Sequence, residues 1–535
     1  MARRKEEGQT YHRRHRVEDK FDVAEAELQR ETPKSYKIKI DGLHRFYIFI
    51  LSLILALTSV ANPLLTDFGN IHQTVNLYTG QMMANGHIPY LDTFATGGFL
   101  FYVIIALSYL LGSSIWLMII ELLAFYMSGI YLYKIIAFLT NRHGMGMTFT
   151  VIFFLLNLGF GFGGLYPIQW AFPFLLNALW YLTKYFAGHI NDEAFIIYAI
   201  FGSISALIEP RSLIFGALSF LAIGIYNFMQ RHFARGFYQL LCMIFGAILV
   251  YYTVGYFIFN MGNLSDYISQ ALFYNFKVFT IGKESFLITI PYQILILASS
   301  GLLLGFFGFW GHLGQTSNFK TIKWLIFWNL VFSLVIGIFA RSYYIFQLLL
   351  VLPFGLILTA LVINDNIDYQ RAEPSSKGSR AAHRRKHSRE ANRSYWGTFA
   401  EKHFQLPVLV VIAGVVLPIF IGIMSLGLNS ERSNIAAYLR ENTDKKNTIY
   451  VWDNSSKIYL DTALQSASQF PVPSVNTTTK ANAQKLEDEI LQARAQYIVV
   501  NNSENLSSDI VNRLNSTYEK ISVTDADHFT VYQKK

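Results

Sequence analysis

The chain has 535 residues, of which 53% are hydrophobic, 16% aromatic and only 15% charged. Soluble domains carry about a quarter charged residues, so the composition excludes a soluble globular protein and predicts a polytopic α-helical membrane protein. The net charge of +9 does not signal nucleic acid. The basic excess gathers in 3–16 (RRKEEGQTYHRRHR) and 371–393 (RAEPSSKGSRAAHRRKHSREANR), which read as cytoplasmic by the bias of Lys and Arg towards the inner side of a membrane. Cys242, the single cysteine, excludes disulfides and cysteine-based metal sites within one chain.

In chain order, about 45 polar residues precede the first apolar run, where a cleavable signal would have a short basic head. Runs that approach a bilayer's thickness lie at 46–63, 115–138, 147–158, 170–186, 194–208, 213–227, 237–258, 286–308, 324–339, 345–363 and 405–427. A further run, 98–112, is settled by parity. With 371–393 inside, the loops 309–323, 228–236, 184–193 and 139–146 also fall inside, and they carry Lys320 and Lys323, Arg231 and Arg235, Lys184, and Arg142. Counting forward from the basic N-terminus puts 64–97 outside. The counts agree only if 98–112 lies at, or dips into, the outer face without crossing. The prediction is about eleven spans, with outer segments at 64–114, 159–169, 209–212, 259–285 and 340–344.

After about residue 428 the pattern changes. RSNIAAYLRENT reads as an amphipathic helix, TIYVW (448–452) and QYIVV (496–500) as strands, NAQKLEDEILQARA as a helix and FTVYQ (529–533) as a closing strand. The expected division is a cytoplasmic basic segment 1–45, a transmembrane domain 46–427 with a first external loop 64–114 and a cytoplasmic insert 364–404, and a C-terminal extracytoplasmic α/β domain 428–535.

The first external loop raises the chemical question. Asp67 stands just beyond the first span. NIHQTVNLYTGQMMANG then reads as a short helix with an apolar side of Ile71, Val75, Leu77, Tyr78 and Met82, expected to lie flat on the membrane, and Pro89 and Gly97-Gly98 bracket Asp92. Asp67 is either a helix cap, a general base for a hydroxyl acceptor, or a ligand for a divalent cation, and Asp92 is either a turn residue or part of a site. His72 and His87 either face solvent or hydrogen-bond a sugar.

The succession of one span, Asp67, a short helix, G-x-x-P-Y-x-D (86–92) and GGFLFY (97–102) resembles the first external loop of GT-C fold glycosyltransferases, which take a sugar from a polyprenyl-phosphate carrier. These include protein mannosyltransferases and the aminoarabinose transferase that acts on lipid A. ISALIEPRSLIFG (204–216), ARSYYIFQLLLVLP (340–353) and NIAAYLRENTDKKNTIYVWDNSSKIYL (434–460) resemble later family segments in the same order. The resemblance implies a GT-C-like fold and a polyprenyl-phosphate-linked sugar donor. It also implies an extracytoplasmic glycan acceptor (cell-wall polysaccharide, teichoic acid or glycolipid) and an active site on the outer side of the cell membrane.

It matches the family's catalytic acid to Asp67, and a second first-loop acid to Asp92. Many relatives carry another acid in the next external loop, but in GFGFGGLYPIQWAF Gln169 takes that place. This favours a metal-independent route through Asp67, with no metal ligand assigned, and leaves a divalent cation (Mg or Mn) as an open alternative. Glu209 is either a substitute acid or the structural partner of Arg211. Arg341 and Arg211 are candidates for the carrier phosphate, since Arg binds phosphate bidentately; the alternative for Arg341 is a snorkelling anchor. Tyr344 is a substrate-binding candidate or an interfacial aromatic, and 259–285, with Asp266, Lys277, Lys283 and Glu284, is a candidate acceptor-side flap. The competing functional classes are a polymerase or ligase of lipid-linked polysaccharide, a flippase or transporter of lipid-linked sugars, and a non-catalytic scaffold. Ionisable residues gather at span ends rather than centres, which favours surface chemistry over passage.

Overall fold

The computed structural model describes residues 38–277, 284–311, 319–371 and 405–535. The N-terminal basic patch, residues 372–393 of the insert and Lys283 lie outside them.

The apolar runs fold as helices: α1 Gly42–Leu57, α2 Ile71–Ala84, α3 Phe99–Leu110, α4 Ile115–Thr140, α5 His143–Phe160, α6 Pro167–Phe186, α7 Phe195–Ile208, α8 Leu213–Met229, α9 Phe233–Asn260, α10 Phe286–Ser299, α11 Leu302–Gly311, α12 Lys320–Ile338, α13 Leu352–Arg371 and α14 Gln405–Met424. Among the described residues, seven helical segments are long and apolar enough to cross a membrane, and α10 with α11 makes an eighth if the bent pair is one span. The protein is a multi-pass membrane protein. The expected single span 286–308 is not straight: α10 and α11 meet at 86°. Gly301, at φ +78°, makes the corner in a conformation that a side chain would strain.

The segment formed by α13 and the 3₁₀ turn before it is the axis of the bundle, with 89% of its apolar window buried, whereas α14 stands at the rim with 11% buried. An apolar helix so exposed is one solvated by lipid. It approaches α5 through paired small residues, and a Cβ on Gly414 would sit 2.0 Å from the Gly159 carbonyl oxygen. Helix α3 packs on α2 and α7 and is too short at 12 residues to cross a bilayer alone. In a Cys242→Ala background, a cysteine at Ser113 is expected to react with an impermeant thiol reagent on whole cells, while one at Arg142 stays unlabelled until the membrane is opened. Protection of the Ser113 site in intact cells would show that α3 crosses.

The C-terminal part begins with α15 (Leu426–Asn442) and continues as β1 Thr448–Trp452, α16 Lys457–Thr462, β2 Gln465–Ser466, α17 Lys480–Leu491, β3 Tyr497–Asn501, α18 Ser508–Thr517, β4 Tyr518–Ile521 and β5 Phe529–Lys534. The sheet order is β2-β1-β3-β5-β4. Strand β1 runs parallel to β2 and β3, and β5 pairs antiparallel with β3 and β4. Alternate residues face opposite layers, as the pleat requires. Tyr450, Ile498 and Val500 meet Leu486, Ile490, Ile510 and Leu514 of α17 and α18. Ile449, Val451, Val499 and Val531 meet Ile435 and Leu439 of α15 together with Tyr78 and Met82 of α2.

This corrects the expectation that α2 lies on lipid. Its apolar side is the second layer of the sheet domain, and Tyr78 and Met82 are almost wholly buried there. The Tyr78 hydroxyl accepts a hydrogen bond from Ser466 N at 2.8 Å.

Candidate active site

Helix α2 starts at Asn70, whose Oδ1 accepts from His72 N (3.0 Å) and Gln73 N (3.1 Å) while Gln73 Oε1 accepts from Asn70 N (2.9 Å). This capping box satisfies donors the helix start would otherwise leave unpaired. The polar side of α2 then grips the turn before α6. Gln73 Nε2 donates to the carbonyls of Phe162 (3.0 Å) and Gly164 (2.9 Å), Asn76 Nδ2 to that of Leu165 (3.2 Å), and Asn70 Nδ2 to the Tyr166 hydroxyl (2.6 Å).

Beneath this turn lies an acid the sequence reading passed over. Glu121 of α4 is wholly buried, and its Oε1 accepts from Leu165 N at 3.1 Å. Only glycine fits above it: Gly164 has φ +63°, and a Cβ there would meet Glu121 Oε1 at 2.2 Å. Glu121 is the one carboxylate in a 26-residue apolar helix, which is the signal that marks it.

A cleft enclosing about 710 Å³, open mouth included, is bounded by α2, the turn at Tyr166, the short turn Pro210–Ser212, the segment before α13, Tyr274 and Asn275, and a loop of the sheet domain carrying Val475 and Asn476. Of the residues singled out in the sequence, His72, Glu209 and Arg211 line it. Glu209 and Arg211 form a buried bidentate pair: Arg211 Nε to Oε1 and Nη2 to Oε2, both at 2.8 Å. Arg211 Nη1 donates to Gln347 Oε1 at 2.7 Å. A guanidinium has five N–H donors, so two remain for a ligand. His72 packs edge-on to Tyr344 (4.7 Å between ring centres) and Phe346 (5.1 Å). Desolvation there pushes the imidazole down to about 4, so it is neutral at pH 7. Tyr344 rests on His72 but does not itself line the cleft. Phe346 stacks on Tyr166 at 4.3 Å.

Asp67, Asp92 and Arg341 do not line this cleft. Asp92 Oδ2 accepts from Ile88 N at 2.7 Å and lies 3.7 Å from His87 Nδ1, closing the turn between α2 and α3. Arg341 donates from Nε to the Glu284 carbonyl at 2.7 Å and covers the Phe286 ring at 4.7 Å. Asp67 lies in the turn Thr66–Phe68 with its side chain 55% exposed, its Oδ1 2.5 Å from Lys457 Nζ of α16. Lys457 also pairs with Asp461 at 3.2 Å.

The Asp67 carbonyl accepts from Asn429 Nδ2 (2.9 Å), and Asn429 Oδ1 accepts from Arg432 Nη1 (2.7 Å). Arg432 in turn makes a buried bidentate pair with Asp453 (2.7 and 3.0 Å). The sheet domain therefore holds Asp67 at both its carboxylate and its backbone. Lys457 and Arg432 lie far from Asp67 in sequence, and nothing local announced them.

Gln169, in the place where an acid was looked for, is structural. Its Nε2 donates to Asn157 Oδ1 (2.7 Å) and its Oε1 accepts from Tyr166 N (3.3 Å), fixing the start of α6. Among the described residues no group of three or more His, Cys, Asp or Glu is placed to hold a metal ion. The expected flap is no open loop over its described part. Leu264–Lys277 is helical with a π-turn and is pinned to residues 89–96: Asn263 Nδ2 to Pro89 O (2.8 Å), Gln270 Nε2 to Tyr90 O (2.7 Å) and Asn275 Nδ2 to Thr96 O (2.7 Å).

Residues 33–426 match the model of the competence-induced protein Ccs4 N-terminal domain, and 429–535 match that of the Ccs4 C-terminal domain. The chain belongs to the competence-induced Ccs4 family. No curated protein matches it. Among solved structures, ArnT from Cupriavidus metallidurans in the apo state is similar at 11% identity and a TM-score of 0.50, over 92% of this chain and 97% of that one. This Ccs4-family chain therefore has the GT-C fold expected from its first loop. ArnT bound to undecaprenyl phosphate aligns at 12% identity, with a TM-score of 0.47 over 92% of this chain and 97% of that one. The archaeal oligosaccharyltransferase AglB from Archaeoglobus fulgidus, in complex with an inhibitory peptide and a dolichol-phosphate, aligns at 10% identity with a TM-score of 0.46, over 92% of this chain and 74% of that one.

Proposed function

We propose that this protein is a glycosyltransferase that moves a sugar from a polyprenyl-phosphate-linked donor to an extracytoplasmic glycan acceptor at the plasma membrane. The observation that carries the reading is the cleft itself, on a GT-C fold, where the turn Pro210–Ser212 meets the sheet domain, with aromatic faces, neutral amides and one buried Glu–Arg pair in its wall. A sugar ring needs apolar faces for its C–H surfaces and amides for its hydroxyls; a carrier phosphate needs a cation that does not leave when charge develops. ArnT, whose apo form shares the fold, also has a structure with undecaprenyl phosphate bound, and this supports a carrier of that class.

In this mechanism Arg211 offers its two remaining N–H groups to the leaving phosphate, while Glu209 and Gln347 fix the plane of the guanidinium. Asp67 takes the acceptor proton through Oδ2, and Lys457 holds Oδ1. A specific observation favours a second assignment of the base: Glu209 lines the cleft and Asp67 does not. Asp92 shapes the first loop, and His72, backed by Tyr344, offers the face against which the ring rests. No metal is required by these roles.

The test is the full chain in lipid bilayers with a radiolabelled undecaprenyl-phosphate sugar and cell-wall acceptor fractions. The expected result is label in the acceptor, with release of undecaprenyl phosphate. Absence of both across a panel of neutral and charged sugars overturns the reading. Arg341 is the alternative cation for the phosphate. Its anchorage on Glu284 and Phe286 predicts that Arg341→Lys lowers transfer only a few-fold. A phosphate-gripping Arg341 would instead lose about 2–4 kcal/mol of transition-state stabilisation in Arg341→Ala, with partial recovery by Lys.

A further inference from the structure

We infer that Asn476, a residue of the C-terminal sheet domain, recognises a substrate hydroxyl in the cleft, so that the sheet domain contributes directly to specificity. The inference rests on the glycosyl-transfer reading. The loop carrying Asn476 is built over the cleft and fixed on both sides. Upstream, Phe470 stacks on Phe94 at 5.1 Å, and Phe94 N donates to Gln469 O at 2.7 Å. In the middle, Val472 and Val475 pack on Ile71 and Val75 of α2. Downstream, the Thr478 hydroxyl meets that of Tyr274 at 3.3 Å.

Asn476 itself is held by its backbone: φ is +62°, and its carbonyl accepts from Asn482 Nδ2 at 2.6 Å. Asparagine tolerates this left-handed conformation better than most residues with side chains. Its side-chain amide lines the cleft and, among the described residues, has no hydrogen-bond partner. A half-buried amide without a protein partner is held only by water and is available to a ligand that enters the cleft, whose lining also includes His72, Asn275 and Gln347. An amide offers two donors and an acceptor, the complement of a neutral ring bearing adjacent hydroxyls.

The hydroxyl belongs either to the donor sugar or to the acceptor glycan, and kinetics separates the two. Asn476→Gly removes the amide and keeps the left-handed backbone unstrained. Asn476→Asp keeps the shape but loses the donors. In the full chain, Asn476→Gly is expected to raise one KM, donor or acceptor, about tenfold with kcat little changed, as for an interaction made equally in ground and transition states. The KM that rises names the source. A donor or acceptor series lacking one hydroxyl at a time gives the reciprocal check: the deletion that costs the wild type about tenfold costs Asn476→Gly nothing. Unchanged KM values in both variants, or equal losses in wild type and Asn476→Gly for every deletion, overturn the inference while leaving glycosyl transfer standing. Failure of the wild type with every lipid-linked sugar removes the reading beneath it and the inference together.

Discussion

Asp67→Asn is expected to lower sugar transfer by about 10²–10⁴-fold, the usual contribution of a positioned acid–base group, with membrane insertion and yield unchanged. The amide keeps the shape and can still accept one hydrogen bond from Lys457, but it cannot take a proton. The ion pair makes a control necessary, because Lys457 is 10% exposed and its other partner, Asp461, is at 3.2 Å. If the carboxylate served only to seat this lysine, then Asp67→Asn combined with Lys457→Gln would restore activity by removing a charge that Asp461 alone is left to balance. Recovery in the double variant to more than about a tenth of wild type, the lower bound for a general base being roughly 10²-fold, assigns Asp67 an anchoring role and passes the base to Glu209. A double variant as inactive as Asp67→Asn places the proton on Asp67.

The second large effect concerns the buried pair in the cleft wall. Glu209→Gln leaves the Arg211 guanidinium, 8% exposed at its side chain, without its counter-charge. Removing one partner of a buried pair costs about 3–5 kcal/mol. The purified variant should therefore melt well below the wild type in detergent and lose transfer as well. Replacing both members by apolar side chains of similar volume, Glu209→Leu with Arg211→Met, should restore most of the melting temperature, since such replacements are often neutral, yet leave transfer lost. Transfer surviving in this doubly apolar protein would exclude the pair from catalysis and from phosphate binding alike.

The membrane helices were legible because length and apolarity are local properties. Each long run in the sequence became a helix, and the failure at 286–308 came from a single Gly301 corner inside an otherwise continuous run. In the sheet domain, TIYVW, QYIVV and FTVYQ announced β1, β3 and β5. In contrast, β2, at two residues, and the half-polar β4 exist only because neighbours offer them a ladder. The site divided along the same line. Asp67, Asp92, Glu209 and Arg211 stood out as lone charges beside apolar runs, but their partners depended on tertiary placement. Nothing near Asp67 foretold Lys457, and the apolar side of α2 looked suited to lipid because a sheet and a bilayer ask for the same surface. Glu121 and Gln169 show the complementary error: attention to the expected acid position obscured the acid that holds the turn from below.

The packing of α2 into the sheet domain bears on when the protein can work. Tyr78 and Met82 sit in one hydrophobic cluster with Ile435, Val451 and Val531, so the helix that carries His72 gains its second layer only after β5 is made. Without the residues beyond 424, α2 has no covering, Asp67 has no lysine and the cleft lacks the wall that Val475 and Asn476 supply. Truncation within β5 is expected to uncover the apolar side of α2, read as greater protease sensitivity of that helix than in the full chain.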